Sequence, residues 1–458
     1  MRLDALFRPE SIAIIGASDK PTPGRRVIAT LERLGYAGRI YPVNPNYTSL
    51  LNRPCYPSPA ELPEAPDVAV FSLGHERVLP AFIAAAKRGM KAAVIFDGGF
   101  AEYGEEGREL QAKIEDICRE HDIALCGPNC MGVLSPHHKS SSYLQELRDP
   151  TGLAGNVGVI SQSGGLCLSL LTDTRRYGFS HIVSAGNEAA VTAASYLEYL
   201  VEDRDTEIIG GFIETIREPE RFVAALDRAA ALGKPVVLLK VGRTARSRYA
   251  VTTHTAGDAG DPAAVSDMLR AHRVIEVDDL VALTETLAAL QSPKRPQGRR
   301  IGIVMSSGGV AELILDVAGT AGLQIPPLSP AQKTALEAVA GFITGDGNPC
   351  DAWGSGTFAR NLPAALEMFD ASPEHDIIVF ARDNLDDQPF DWPQTAMTYL
   401  DLFARSAQQS AKPHYLLGTR PGIMDRNFVA YLRERGVAVV GGIREGLGAL
   451  DLLGRHAN

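Results

Sequence analysis

Short apolar runs alternate with amphipathic stretches along the whole chain, and this constrains the fold more than any other feature. Parallel strands are covered on both faces by their crossover helices, so they read as short continuous apolar runs between helical periods. Ser11 to Ile15 reads as the first strand, Arg25 to Leu34 as a helix and Arg39 to Val43 as the second strand. Val68 to Leu73, Ala92 to Phe96 and Ile123 to Cys126 continue that sheet, with a helix at Gly107 to Glu120. A second series opens at Val157-Gly-Val-Ile160 and continues at Ile208 to Ile213 and Val236 to Val241. A third has strands at Ile301 to Met305, Ile377 to Ala381, Tyr415 to Gly418 and Val437 to Val440.

The 458 residues suit about three domains. A polar, hydroxyl-rich stretch near His137 to Gly155 and a proline-rich basic stretch, Ser292-Pro-Lys-Arg-Pro-Gln-Gly-Arg-Arg300, mark the divisions. The expected domains are 1–145, 146–291 and 301–458, with 292–300 as a linker. The second and third share an opening phrase. Val157-Gly-Val-Ile-Ser-Gln-Ser-Gly-Gly165 matches Ile301-Gly-Ile-Val-Met-Ser-Ser-Gly-Gly309. Each is a strand, a Ser-Gly-Gly turn and an apolar helix, which points to two related flavodoxin-like domains. Such a turn presents a hydroxyl and bare amides at a helix N-terminus, a place for phosphate or carboxylate. In the third domain the glycines can equally serve the tight turn alone.

A net charge of −10 argues against a general nucleic-acid or anionic-membrane binder. Met1-Arg-Leu-Asp-Ala-Leu-Phe-Arg8 is too short and charged for a signal peptide, and no run of about 18 apolar residues offers a membrane span. The six cysteines form no C-x-x-C pair and read as reduced, mostly buried thiols, so the expectation is a cytoplasmic protein without a metal site.

In the first domain Gly16-Ala-Ser18, followed by Gly24, lies between a strand and a helix, a phosphate-cradling position that is not G-x-G-x-x-G. The second strand ends Tyr41-Pro-Val-Asn-Pro45, where a nicotinamide-dependent dehydrogenase places an acidic residue for the ribose. The domain is therefore Rossmann-like but fits a different adenine nucleotide. Arg25 and Arg26 either face its phosphates or are solvated helix residues. In the second domain His254 lies in a glycine- and hydroxyl-rich stretch, Tyr249-Ala-Val-Thr-Thr-His-Thr-Ala-Gly-Asp-Ala-Gly260, expected to be a loop. A neutral imidazole there can attack phosphorus and carry the phosphoryl group, although a lone loop histidine is ordinarily just solvated.

Taken in order, Ile14-Ile-Gly-Ala-Ser18, Tyr41-Pro-Val-Asn-Pro45, Gly127-Pro-Asn-Cys-Met-Gly132, Ser161-Gln-Ser-Gly164, Ser184-Ala-Gly-Asn187, Phe212-Ile-Glu214, Gly242-Arg243, Thr253-His-Thr255 and Gly347-Asn-Pro-Cys-Asp351 resemble the nucleoside-diphosphate-forming acyl-CoA synthetases, relatives of succinyl-CoA synthetase. The resemblance implies a coenzyme A site at Gly16, Ser18, Asn44, Pro45 and Asn129, with a phosphate contact either lost at Asn46 or supplied by Arg25 or Arg26. It implies that Ser163, Gly164 and Asn187 line the acyl and phosphate site, that His254 is the phosphohistidine and that Glu214 holds it. The family's histidine motif has glycine where Ala256 stands, and a lysine is frequent at Asn46. No stretch reads as an ATP-grasp domain. The expectation is therefore an α subunit of an ADP-forming acyl-CoA synthetase. It acts on a small carboxylic acid, and ATP and Mg2+ are held on a separate ATP-grasp β subunit in a hetero-oligomer, for instance of two α and two β chains. A non-catalytic CoA- or acyl-CoA-binding protein of the same fold is the alternative.

Overall fold

The computed structural model describes residues 3–172, 176–255, 257–383, 393–422 and 424–457, with 253–255, 320–321 and 393–395 described by backbone alone. Two compact units divide the chain: Met1–Thr174 with Gly178–Val277, and Arg175–Tyr177 with Asp278–Asn458.

The first unit holds two sheets. In chain order the strands of the first are β1 (Ser11–Ile15) and β2 (Arg39–Val43), then a small side hairpin of β3 (Ser49–Leu50) and β4 (Arg53–Pro54), then β5 (Val68–Phe71), β6 (Ala92–Ile95) and β7 (Ala124–Cys126). The parallel order is β2-β1-β5-β6-β7, with Ile12 opposite both Ile40 and Val68. β1, β5, β6 and β7 are buried along their whole length, as strands covered on both faces must be. The helix Pro23–Leu34 starts on a proline, whose missing N–H has no partner to lose there, and stops at Gly35 in the left-handed region at φ 70°.

The second sheet contains β8 (Gly132–Ser135), β9 (Ser140–Ser141), β10 (Ala154–Ser161), β11 (Phe179–Ser184), β12 (Ile208–Ile213), β13 (Val236–Lys240) and β14 (Ile275–Val277), in the order β14-β13-β12-β10-β11-β8-β9. The hairpin β8–β9 runs antiparallel to β11, with Leu134 opposite Ile182. The first sheet thus ends at Cys126, and a stretch that lies before residue 145 belongs to the second. One apolar core runs through both sheets, joining Ile14, Val70 and Val94 to Val183, Ile209 and Leu238.

The other unit carries β15 (Ile301–Met305), β16 (Cys350–Asp351), β17 (Ile377–Ala381), β18 (His414–Gly418) and β19 (Ala438–Gly441), all parallel in the order β16-β15-β17-β18-β19. The helix Leu280–Ala289 packs here against Ile443–His456. Its Glu285, buried, takes Arg176 at 2.5 Å and the amide of Gly441 at 2.7 Å. The basic stretch at 292–300 is docked rather than loose: Arg299 binds Asp451 at 2.6 Å and Arg300 binds Asp376 at 2.7 Å.

Counting only parallel strands in chain order, each sheet reads 2-1-3-4-5. The crossover direction reverses between the first and third strands of each. Ligands of open α/β sheets bind at that point, beyond the carboxyl ends of the strands.

Candidate functional site

The first crevice lies beyond β1, β2 and β5. Gly16 has φ +88°, and a Cβ there would run into the carbonyl oxygen of Ser72 beyond β5. The amide of Gly24 donates to Ser72 Oγ at 3.0 Å, so the turn after β1 is fastened across the switch point. Asn44 ties the ends of β1 and β2 together: its Nδ2 donates to Ala17 O at 2.7 Å, and its Oδ1 accepts from Asn46 N at 3.0 Å. Ser18 Oγ accepts from Lys20 N at 3.1 Å, and Tyr47 donates to Asp19 at 2.7 Å. Arg25 is exposed and donates to the carbonyl of Asp19, folding back on the loop that carries Ser18. Pro45 is exposed beside Asn44. Asn129 follows β7, at the opposite edge of this sheet from Asn44.

The second crevice lies beyond β10, β11, β12 and β13. Ser163 caps the helix Gly164–Leu171 with extended backbone (φ −112°). Gly164 admits Met131, whose Cγ would stand 2.6 Å from a Cβ at that position. Gln162 joins two strand ends. Its Oε1 accepts the amides of Glu214 at 2.6 Å and Thr215 at 2.9 Å, while its Nε2 donates to Thr215 O at 2.9 Å and Glu188 Oε1 at 2.6 Å. Glu214 is buried at the head of the turn after β12, and Lys240 Nζ donates to its carbonyl at 2.8 Å.

His254 lies on the last turn of a helix, Ala245–Thr255, where the sequence led to the expectation of a loop. The polar run Ala245-Arg-Ser-Arg-Tyr-Ala has good helix formers, and Thr244 starts the helix by accepting the amides of Ser247 and Arg248. The imidazole of His254 and the residue Ala256 lie outside the described residues. Three residues beyond His254, a Cβ on Gly257 would run into Thr215 Cγ2, so the chain leaving the histidine rests on the Glu214 turn. Gly242 and Ala259 also pack closely, at 2.6 Å for a Cβ on Gly242.

Asn187, beyond β11, connects the crevices. Its Oδ1 accepts from Asn129 at 3.3 Å, and its Nδ2 donates to Glu102 at 2.5 Å and Gln111 at 3.2 Å. The short turn Ala101–Tyr103 that carries Glu102 also packs against the helix Ala245–Thr255.

Comparison with known proteins matches the two sheets of the first unit to two known domains. A model of the CoA binding domain matches residues 10–136, and one of the succinyl-CoA ligase like flavodoxin domain matches residues 154–290. The α subunit of acetate–CoA ligase (ADP-forming) I of Pyrococcus furiosus is 31% identical over 333 residues, 71% of each chain. The chain belongs to the ADP-forming CoA ligase family. A trans-feruloyl-CoA synthase of an unknown prokaryotic organism is 36% identical to this ligase-family chain over 377 residues, covering 80% of it but 53% of the relative. The chain spans about half the length of several curated relatives it matches. The dinucleotide-forming acetyl-coenzyme A synthetase 1 of Ca. Korarchaeum cryptofilum, solved with phosphate and ADP, superposes with TM-score 0.84 at 25% identity, covering 100% of this chain and 97% of that one. Among the described residues no helix is long and apolar enough to cross a membrane.

Three buried polar residues at these strand ends were given no role by the sequence reading: Gln162, Glu188 and Lys240. Gln162 lies within a quoted motif, Glu188 directly follows one, and Lys240 is a charge at the end of an apolar strand. Glu188 adopts φ +56° and is walled in, so burial pushes its carboxyl up to about 7 against the opposing pull of Gln162 and Arg217. A second polar chain is not a site. Ser135 Oγ lies 2.9 Å from His181 Nδ1, and His181 Nε2 lies 3.4 Å from Asp203 Oδ2, which resembles a nucleophile–base–acid series. All three are buried, His181 at 0% exposure, so no substrate reaches them and the chain fastens β8 to β11.

Proposed function

We propose that this chain is the acyl-transfer component of an ADP-forming acyl-CoA synthetase, converting a carboxylic acid, CoA and ATP to acyl-CoA, ADP and phosphate. The observation that carries this is the seating of the segment after His254 on Thr215, in the turn that Gln162 ties to Ser163. This supports the reading by bringing the segment after His254, the Glu214 turn and the Ser163 helix start to one switch point.

In the synthesis direction His254 takes the γ-phosphoryl group of ATP, releasing ADP. The N–P bond of the phosphohistidine then breaks as a carboxylate oxygen of the acid bonds to phosphorus. The CoA sulfur attacks the acyl carbon of the resulting acyl phosphate, the C–O bond to phosphate breaks, and the thiol proton leaves with the phosphate. Dividing the condensation in this way replaces one unfavourable displacement by activated steps. Glu214 accepts the far N–H of the His254 ring, fixing its tautomer. Amides at the Ser163–Gly164 helix start face the charge that develops.

Coenzyme A fits the first crevice. Asn44 and Asn129 stand at the two edges of a five-stranded sheet, four strand spacings or about 19 Å apart. An extended CoA with its nucleotide at Gly16, Ser18, Arg25, Asn44 and Pro45 would deliver its thiol toward Asn129 and Asn187. ATP, with Mg2+, belongs to an ATP-grasp partner, a reading supported by the words "subunit alpha" in the names of two Pyrococcus furiosus relatives.

The test is to co-express the full chain with an ATP-grasp subunit and supply acetate, 4-hydroxybutyrate or ferulate, the acids in relatives' names. Thioester should form with ADP and phosphate as products, and His254→Ala should abolish it. AMP and pyrophosphate as products, or an active His254→Ala variant, would overturn the reading.

A further inference from the structure

Lys240 ends β13 and is buried, yet its ammonium forms no ion pair among the described residues. It donates instead to two main-chain carbonyls, Glu214 O at 2.8 Å and Val241 O at 2.5 Å. An ammonium taken from water without a carboxylate partner is costly, and burial pushes this amine down to about 8. A strand end can hold leucine or methionine at no such cost, so the charge calls for a reason beyond folding.

Four charged groups face it: Glu214 after β12, Glu276 on β14, Asp258 in the segment after the His254 helix, and Arg243 in the loop after β13. Glu276 is engaged by Arg243 at 3.1 Å and by the hydroxyl of Ser266 at 3.0 Å. Asp258 accepts the amide of Gly260 at 2.9 Å on the exposed side. With Lys240 charged, three carboxylates face two cations; with it neutral, three face one. A phosphoryl group on His254 brings about two more negative charges.

The inference rests on the phosphohistidine reading above. We propose that Lys240 is a positioning residue of the phosphoryl-transfer site: it fixes the Glu214 turn through its carbonyl and is the internal counter-charge for the phosphoryl group carried by His254. The packing around it supports both roles. A Cβ on Gly242 would stand 3.6 Å from Lys240 Nζ and 2.6 Å from Ala259 Cβ, so the chain leaving His254 closes over the ammonium. Gln162 holds the amide side of the Glu214 turn and Lys240 its carbonyl side. Of these two only Lys240 brings charge, and it does so where solvent cannot screen it.

The full chain can be tested alone with phosphoramidate, a small phosphoryl donor that needs neither ATP nor an acyl site. Its P–N bond breaks in the form protonated on nitrogen as phosphorus bonds to the imidazole, ammonia leaves with that proton, and the ring keeps its far N–H. Phosphohistidine is measured from pH 6 to 10 in wild type, His254→Ala, Lys240→Met and Lys240→Arg, each level taken relative to free histidine labelled at the same pH, which removes the reagent's own loss of reactivity as its nitrogen deprotonates. Wild type should be phosphorylated at His254, with the level falling as the pH rises past the titration of Lys240. Lys240→Met should be labelled about tenfold less at pH 7 and lose that alkaline fall. Lys240→Arg should recover most of the neutral-pH level and carry the fall to higher pH, because guanidinium stays charged. Equal labelling and an unchanged alkaline fall in Lys240→Met overturns the inference while leaving the phosphohistidine in place. Should Lys240→Met not fold, the displaced limb in Lys240→Arg decides alone, and an unshifted limb overturns the inference. Wild type unlabelled at His254, under conditions that label free histidine, overturns the phosphohistidine and the counter-charge together.

Discussion

The side-chain amide of Asn129 donates to Oδ1 of Asn187 at 3.3 Å, and this bond joins the carboxyl ends of the parallel strands of two separate sheets. The main chain interlocks at the same place. Asn187 N donates to Pro128 O at 2.9 Å, Ala189 N to Gly127 O at 3.1 Å and Gly127 N to Ala185 O at 3.1 Å. Under the proposed function, a group bound along the first sheet and a group bound at Ser163 would meet at this hydrogen-bonded seam, the arrangement an acyl transfer between them requires.

Asn187→Asp tests the seam. The new carboxylate can still accept from Asn129, but it faces Glu102, to which Nδ2 donates at 2.5 Å in the wild type. Stability should fall by about 1–3 kcal/mol and thioester formation by more than tenfold. Relieving the repulsion by protonation should restore part of the stability as the pH drops through the carboxyl range. Denaturant melts from pH 4 to 8 check this, and a loss that is independent of pH would remove Glu102 from the explanation.

Gly16→Ala tests the first crevice. The residue sits at φ +88° with the Ser72 carbonyl in the way of any Cβ, so the turn after β1 must shift. The expected cost is about 1–3 kcal/mol, with at least a tenfold loss of CoA affinity by calorimetric titration. Gly165→Ala is the control. It meets nothing within 4 Å in the first turn of its helix and should leave both quantities within error.

Most of the architecture was legible because burial on both faces leaves so plain a mark. The runs at Ser11, Val68, Ala92, Ile208 and Val236 each form a strand in the expected sheet. Three kinds of element were not. β8 and β9 are made of Gly132-Val-Leu-Ser135 and Ser140-Ser141, too short and too polar to separate from a loop, and they are strands only because β11 offers an open edge. The helix Ala245–Thr255 looked like a loop because its last turn is threonine-rich, although its first two turns carry helix formers. The motif residues of the site were visible as chemistry, whereas Gln162, Glu188 and Lys240 were not. Their importance lies in partners 26 to 53 positions away, which no local pattern records.

Glu188→Gln gives a prediction with a definite sign. The carboxyl is pushed up from 4.5 to about 7 in the folded chain, so the folded state binds its proton more tightly than the unfolded state. Stability attributable to this group is therefore present below about pH 4.5 and is lost as the pH rises through about 7. Glutamine keeps a neutral acceptor for Gln162 and never ionises. Relative to wild type, the variant should be near neutral in stability at pH 4.5 and more stable at pH 8, by an amount on the order of 3 kcal/mol. Paired unfolding curves at the two pH values check it, and a difference that does not grow with pH would mean that Glu188 stays ionised in the folded protein.

Gln162→Leu and Gln162→Glu separate the fastening of the Glu214 turn from folding. The amide of Gln162 uses all of its capacity at once, with two main-chain N–H groups accepted and two hydrogens donated. Leucine matches its bulk but leaves the amides of Glu214 and Thr215 buried without an acceptor. Each orphaned N–H costs about 1–3 kcal/mol, so the variant should lose roughly 3 kcal/mol. Thioester formation should fall further than stability alone accounts for, because the Glu214 turn is then free to move. Glutamate restores the two acceptor bonds but replaces both donated hydrogens with a carboxylate facing Glu188. It should therefore recover the geometry of the turn only when one of the two carboxyls is protonated. Activity per folded molecule in Gln162→Glu should accordingly rise as the pH falls from 8 toward 6, opposite to a phosphohistidine enzyme whose imidazole must be neutral. A Gln162→Glu profile that parallels the wild type would assign Gln162 to folding alone.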